Sequence, residues 1–307
     1  MIPSSMFDPV SQNMLQYYPG PTNSNLTNNF TTALTIPAKT DRFSVRTDHN
    51  ISDKSRLFGR YSHEYITAGV TGYIFGQDDP GGPGNMSTNN RWDIGFGYSR
   101  VFSPTLVMNY NFGTNYWNET YLANGDGFMP STLGLPSILD RGEKSIFPDV
   151  GIDDMTGLGS GNSNSTPRQT VTNSLDITKV HGPHIFTTGF MNIMNYTYAK
   201  FQYPLSASFG RGMSNGPNPL AADPNSGFGF ATFLLGAGSG NFTIASEAAY
   251  IKKYFGWYFQ DDWKVTRNLT LSLGLRYDIQ TPHGQAQPAC ERECEEVVIK
   301  NGCLRTH

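Results

Sequence analysis

Cysteine is scarce and confined to one end: the 307 residues hold 3, Cys290, Cys294 and Cys303. A disulfide framework running through the chain is thereby excluded. The Cys290 and Cys294 spacing, followed by Cys303, resembles part of a metal knuckle, but only His307 stands near as a fourth ligand. No metal centre is expected there. Charge is also thin, with 22 Lys and Arg against 25 Asp and Glu and a net charge of −3. Without a basic run or patch, nucleic acid is excluded as a partner. No apolar run reaches the length of a membrane helix, the longest being Phe228 to Ala237. The start, Met1-Ile-Pro-Ser-Ser, lacks the basic and apolar regions of a secretory signal, so either the protein is soluble or its true N-terminus lies upstream. Hydrophobic residues make up only 37%, which is lean for a soluble core of this size.

Aromatic residues, by contrast, are abundant: 16 Tyr and 20 Phe, beside 33 Gly and 19 Pro. Few aliphatics with many aromatics suit a wall with one apolar face better than a packed globule. Alternation supplies the wall. Leu269, Leu271, Leu273 and Leu275 interleave with Thr270, Ser272 and Gly274, and the segment Tyr254 to Val265 precedes them across the turn Thr266-Arg267-Asn268. Successive strand side chains point to opposite faces, so this period of two is a hairpin signature. Three further hairpins are predicted: Asp41–Asp48 with Leu57–Tyr65, Arg91–Ser99 with Leu106–Asn115, and Thr170–Ile177 with Phe186–Tyr198. Polar, glycine-rich loops separate them at about residues 67–89, 122–168 and 202–249. Before the first, Asp8 can cap a short helix opened by Pro9, with Val10, Met14 and Tyr17 or Tyr18 on one face.

Short turns thus alternate with long loops, and the strands exceed the roughly five or six residues usual in soluble sandwiches. Strands of about 9–11 residues cross a bilayer when tilted, with short turns at the periplasm and long loops outside. The fold class predicted is all-β: an antiparallel transmembrane β-barrel portion of about eight strands with long extracellular loops. Tyr61, Tyr65, Trp92, Tyr116, Trp263 and Tyr277 are expected near strand ends, as an aromatic girdle at the membrane interfaces. Strand parity makes Arg46, Asp48, Arg60, Glu64, Arg91, Asp93, Asp176, Arg276 and Asp278 the lumen-facing candidates. Asp261 and Asp262 are neighbours in sequence but point oppositely, so they cannot share a proton.

Other sites are weaker. His181 and His184 fall in a periplasmic turn; Gly157 to Gly161 lacks the strand-turn-helix setting of a phosphate loop and reads as flexibility. Asn124 to Gly127 and Asp153-Asp154 could bind Ca²⁺ but lack a supporting ligand series. No catalytic constellation and no cofactor is expected. Ligand recognition is expected in the loop 122–168, since surface loops on a rigid scaffold carry binding.

Several segments resemble a known family. Ile2 to Pro19, Asp41-Arg42-Phe43 with Asp48-His49, Arg56 to Tyr61, Gly227 to Gly236 and above all Gln260 to Tyr277 are similar to TonB-dependent receptor-like proteins. The type is Oar-like, with a carboxypeptidase-regulatory domain. The resemblance covers roughly 1–283 and implies an outer-membrane receptor that takes up a large nutrient, such as a glycan or metal chelate. It implies outer-membrane lipid as surroundings, and a plug domain and the TonB energy-transducing complex as partners. Members carry a signal peptide, a plug and about 22 strands. Against that pattern the chain divides into a post-plug linker with a short helix (1–40), a partial barrel (41–283) and an anomalous Cys- and Glu-rich tail (284–307). An internal fragment, not competent for transport alone, is the expectation. Two alternatives stay open: a self-contained eight-stranded outer-membrane adhesin or structural protein, and a secreted carbohydrate-binding β-sandwich. Lumen-face charges are expected to pair across strands or to dock the plug.

Overall fold

The computed structural model describes residues 2–25, 28–33, 35–36, 38–71, 75–76, 79–142, 145–215, 226–243, 246–282, 284–285, 297–300 and 303–306. Eight long strands form one sheet: β1 (Ala38–Ser52), β2 (Ser55–Thr71), β3 (Asn85–Ser103), β4 (Leu106–Ala123), β7 (Arg168–His181), β8 (His184–Gln202), β11 (Ser246–Thr266) and β12 (Leu269–Gln280). Each pairs antiparallel with the next along the chain, so the sheet is a meander. The short β6 (Ser163–Ser165) continues the line of β7 between β4 and β8, and β13 (Gly284–Gln285) pairs β11 past the end of β12. Among the described residues, β1 pairs only β2 and β12 only β11, so the wall is an open part of a barrel.

The four short turns lie at one end of the wall. Three of them are preceded by a register shift, at Asn50/Ser52, Val101/Ser103 and Lys264/Thr266. A bulge there increases the local twist that lets the chain reverse tightly. The β7–β8 turn instead uses Gly182 at φ 57°, in the left-handed region that favours glycine.

Register sorts the side chains. Phe43, Val45, Tyr61, Ile94, Phe96, Phe112, Leu175, Phe190, Trp257, Phe259, Leu273 and Leu275 share one face; all but Phe43, opposite His63, and Leu273, opposite Asp261, lie opposite another member or a small residue. They stay open to the surroundings; Leu275 is 77% exposed and Leu273 58%. So much uncovered apolar surface requires a solvent other than water, and lipid supplies it. None of the described helices is long and apolar enough to cross a membrane, a test that does not bear on strands.

The strands run well past the expected ends; β3 and β8 reach 19 residues each and β11 reaches 21. Apolar alternation marks only the part of a strand that meets lipid. Beyond it the ladder continues through polar residues such as Asn89, Asn90, Asn118 and Thr120, and no periodicity announces it.

At the long-loop end, the loops fold into a packed unit. It comprises α1 (Pro9–Met14), α2 (Gly229–Leu234) and a three-stranded sheet of β10 (Ser239–Phe242), β9 (Leu205–Phe209) and β5 (Asp149–Ile152). Its core is Met14, Leu133, Phe147, Val150, Ile152, Leu158 and Phe233. As expected, Asp8 caps α1, its carboxylate accepting from Ser11 N at 2.9 Å. Asp8 N then donates to Leu234 O at 2.8 Å, and the Ser11 hydroxyl to Phe233 O at 2.6 Å. Helix α1, within the segment 1–40, therefore packs into the loop-end unit.

One expectation is corrected here. Gly157 and Gly159 do not provide flexibility: a Cβ would meet Val150 O at 2.4 Å and Pro148 O at 2.6 Å respectively, so both are needed for the close approach to β5. In the tail, β14 (Val297–Lys300) pairs β15 (Cys303–Thr306), while Cys290, Cys294 and His307 lie outside the described residues.

Candidate functional site

Parity on the wall places all nine charged candidates on the face opposite the apolar one. Arg46, Asp48, Arg60 and Glu64 lie there on β1 and β2, Arg91 and Asp93 on β3, Asp176 on β7, and Arg276 and Asp278 on β12. Seven of them fall into three groups.

The first is a single row across five strands: Arg42, Glu64, Arg91, Trp117 and Arg168, each directly opposite the next. Arg42 Nε donates to Glu64 Oε2 at 2.5 Å, and Arg91 Nη1 lies 3.8 Å from Glu64 Oε1. The guanidinium groups of Arg91 and Arg168 lie over the Trp117 ring at 4.6 and 5.1 Å, where the ring quadrupole attracts cations. The Trp117 indole N–H is buried without a hydrogen-bond partner.

The second group pairs both along a strand and across to its neighbour. Arg46 donates to Asp48 at 2.7 and 3.0 Å, Arg56 reaches Asp48 at 3.2 Å, and Arg46 covers the Phe58 ring at 4.4 Å. Arg60 lies directly opposite Arg46, a like charge. Phe58 lies over Gly97, where a Cβ would come within 2.0 Å of the ring. The glycine is what lets the aromatic lie flat on the sheet.

The third group is Tyr254, Arg276 and Asp278. The tyrosine hydroxyl donates to Asp278 Oδ1 at 2.5 Å and accepts from Arg276 Nη2 at 2.7 Å, while Arg276 Nε bonds Asp278 at 3.0 Å. Asp176 accepts from the Tyr258 hydroxyl at 2.7 Å across Gly189, and Asp93 lies opposite Ser62 and Asn115. The expected pairing across strands thus holds for Glu64 with Arg42 and for Asp48 with Arg56, whereas Arg46–Asp48 and Arg276–Asp278 pair two residues apart on one strand. Side chains two apart share a face, which parity already allows. Arg42, Trp117, Arg168 and Tyr254 were missed as members of these groups, and Tyr258 as the partner of Asp176. Their signal is the cross-strand register, which no single strand carries.

All six girdle aromatics lie on the apolar face, with Trp92 stacked on Tyr116 at 5.7 Å. Only Trp263 and Tyr277 lie close to a strand end. Tyr61, Tyr65, Trp92 and Tyr116 sit inside their strands, because the ladders continue beyond the lipid. Asp261 also faces the apolar side, opposite Leu273, and meets His184 Nδ1 at 2.7 Å. His184 is stacked between Phe186 and Trp263, both at 5.4 Å. Asp262 points the other way and accepts from Gln260 at 3.0 Å, so the two carboxylates are separated as expected.

In the loops, Asp154 and Asp153 are engaged by Arg211, whose guanidinium bonds Asp154 and whose backbone N–H donates to Asp153 at 3.1 Å. That contact holds the Asp154 carboxyl below the usual range. Burial pushes Asp149 and Asp79 up, the latter partly offset by the Gly81 and Gly82 amides. Among the described residues, no three of His, Cys, Asp and Glu converge as a metal set. The shifted groups make loop-end stability depend on pH. Ionising Asp149 costs stability, so its contribution falls as pH rises from about 3.8 through its raised value. Asp154 has the opposite sign and loses its contribution as pH falls through its lowered value. Asp149→Asn is expected to raise the melting temperature of the loop-end unit at pH 7 and leave it unchanged near pH 3, as read by a thermal melt at both pH values.

No curated protein matches the chain. Among solved structures, it is similar to the outer membrane transporter YddB from Escherichia coli, at 14% identity and TM-score 0.43, covering 81% of this chain and 29% of that one. A second is the ferric-catecholate import receptor Fiu from E. coli, at 12% identity and TM-score 0.33, covering 80% of this chain and 41% of that one. The chain therefore spans less than half the length of either. The model of the outer membrane beta barrel domain family matches residues 1–291. This chain, with its lipid-facing and charged faces, belongs to the outer membrane beta barrel domain family and is a protein of the outer membrane.

Proposed function

We propose that this wall is part of a TonB-dependent receptor-like barrel, of the Oar-like type, through which a large nutrient such as a glycan or metal chelate enters. The observation that carries the reading is the combination of an open meander with a lumen face charged in both signs. A small structural barrel closes on its own strands and fills its interior; here β1 and β12 each keep one edge without a described partner. Further strands complete the ring in this reading, and a plug docks against the rows at Glu64, Asp48 and Asp278. Energy would come from the inner membrane through the TonB complex, and the chain itself performs no catalysis.

Cysteine cross-linking between the edges tests it. With Cys290, Cys294 and Cys303 replaced by Ser, Val45→Cys on β1 and Leu273→Cys on β12 should form no intramolecular disulfide in the chain folded into micelles. A rapid, complete intramolecular disulfide would mean that the eight strands close on themselves, and would sink the reading in favour of a self-contained barrel.

A further inference from the structure

A cleft of about 340 Å³ opens at the long-loop end of the wall, where β6 replaces β7 between β4 and β8. Thr120, Leu122, Asn164, Ser165, Lys200 and Gln202 line it. Its position relative to the two faces decides what can reach it. Thr120 and Leu122 share the parity of Tyr116, and Lys200 and Gln202 that of Tyr196, so the cleft belongs to the outer, lipid-facing side. A molecule bound there does not lie in the lumen.

Height decides the rest. On β8 the outer face runs from Phe186 through Phe190 and Met194 to Tyr196 and Tyr198. From 186 to 196 the strand covers roughly 33 Å, or about 23 Å of height at a tilt near 45°, close to the apolar band of an outer-membrane barrel. Tyr196 and Tyr198, like Tyr116 on β4, therefore mark the upper interface, and Lys200 and Gln202 stand just above it. That is the level of lipid headgroups in the outer leaflet.

The lining specifies a hydroxyl-rich ligand. Gln202 is 9% exposed, yet its carboxamide makes no hydrogen bond among the described residues. The Lys200 ammonium likewise has no partner among the described residues, whereas Asn164 lies opposite Tyr121 and Phe201 and so has the inner parity. Thr120 donates to Ser165 Oγ at 3.3 Å, and Ser165 to Asn118 Oδ1 at 3.1 Å, so these hydroxyls can still accept. The Gln202 amide, which both donates and accepts, the Thr120 and Ser165 hydroxyls, one ammonium and the nearby Asp126 carboxylate match the vicinal hydroxyls of a sugar. Exposed Leu122 and Met86, which face each other across β3 and β4, offer an apolar patch beside it. Glu247, opposite Lys200, and Asp126 weigh against a purely anionic ligand. We propose that this cleft binds the saccharide headgroup of an outer-leaflet glycolipid.

Native mass spectrometry of the chain folded in micelles tests the proposal, with purified rough-type lipopolysaccharide as probe and phosphatidylethanolamine and the lipid-free core oligosaccharide as comparisons. The wild type should retain the lipopolysaccharide in preference to both. Lys200→Ala and, separately, Gln202→Leu should each weaken retention about tenfold. Heat-modifiable gel mobility confirms that each variant is folded. Equal retention by the folded variants and wild type, or equal retention of phosphatidylethanolamine, overturns the proposal. Equally tight binding of the lipid-free oligosaccharide overturns the assignment to a lipid.

Discussion

Leu275→Arg should destabilise the chain in lipid vesicles by about 2–4 kcal/mol, the cost of an arginine on the lipid face near the bilayer midplane. Leu275 is the most exposed of the β12 leucines and lies opposite Phe259, itself half exposed. It sits in the middle of the row Leu269 to Ile279, so the guanidinium has the farthest to snorkel in either direction. Ser272→Arg, three positions away and on the polar face opposite Asp262, places the same charge in an aqueous lumen beside a carboxylate. It should cost less than about 1 kcal/mol, as exposed ion-pairing sites do. Equilibrium urea titration in vesicles, followed by tryptophan fluorescence, measures both. Equal losses would mean that the two faces do not meet different solvents.

Phe233→Ala should cost the loop-end unit about 3–5 kcal/mol, the range for truncating a fully buried aromatic. Phe233 is 0% exposed and packs edge-on against Phe209 at 5.2 Å and stacked against Phe230 at 5.9 Å. Its carbonyl also receives the Ser11 hydroxyl, which ties α1 to α2. The unit's core is small, and a loss of this size should open it while leaving the strands inserted. Limited proteolysis should then cut within 124–162 in the variant but not in wild type, with heat-modifiable mobility preserved. Phe228→Ala, at a ring 48% exposed, should show neither effect.

Faces were the legible part of this chain. A period of two is written residue by residue, so Leu269 to Leu275 on one side and Arg276 and Asp278 on the other need no knowledge of neighbours. Strand ends were not legible, because the alternation stops where lipid stops. Asn85 to Asn90 and Asn118 to Thr120 pair as regularly as the apolar residues but carry no pattern. Partners across strands were hidden for a related reason: Arg42, Glu64, Arg91, Trp117 and Arg168 are scattered along the sequence and become one row only when register is fixed. The apolar segment 228–235 was visible as a run. Its role as the anchor of a core depended on α1, β5 and β9 converging on Phe233. Asp261 is the reverse case, a polar residue on a lipid face that parity places correctly but whose partner, His184, lies in another hairpin.

One face of this wall meets lipid and the other water. Single cysteines at each position from Leu269 to Arg276, in a background with Cys290, Cys294 and Cys303 replaced by Ser, can carry an environment-sensitive fluorophore in vesicles. Quenching by a lipid-soluble quencher should peak at 269, 271, 273 and 275, and quenching by iodide at 270, 272, 274 and 276. Uniform quenching along the strand, or the inverse alternation, would contradict the account.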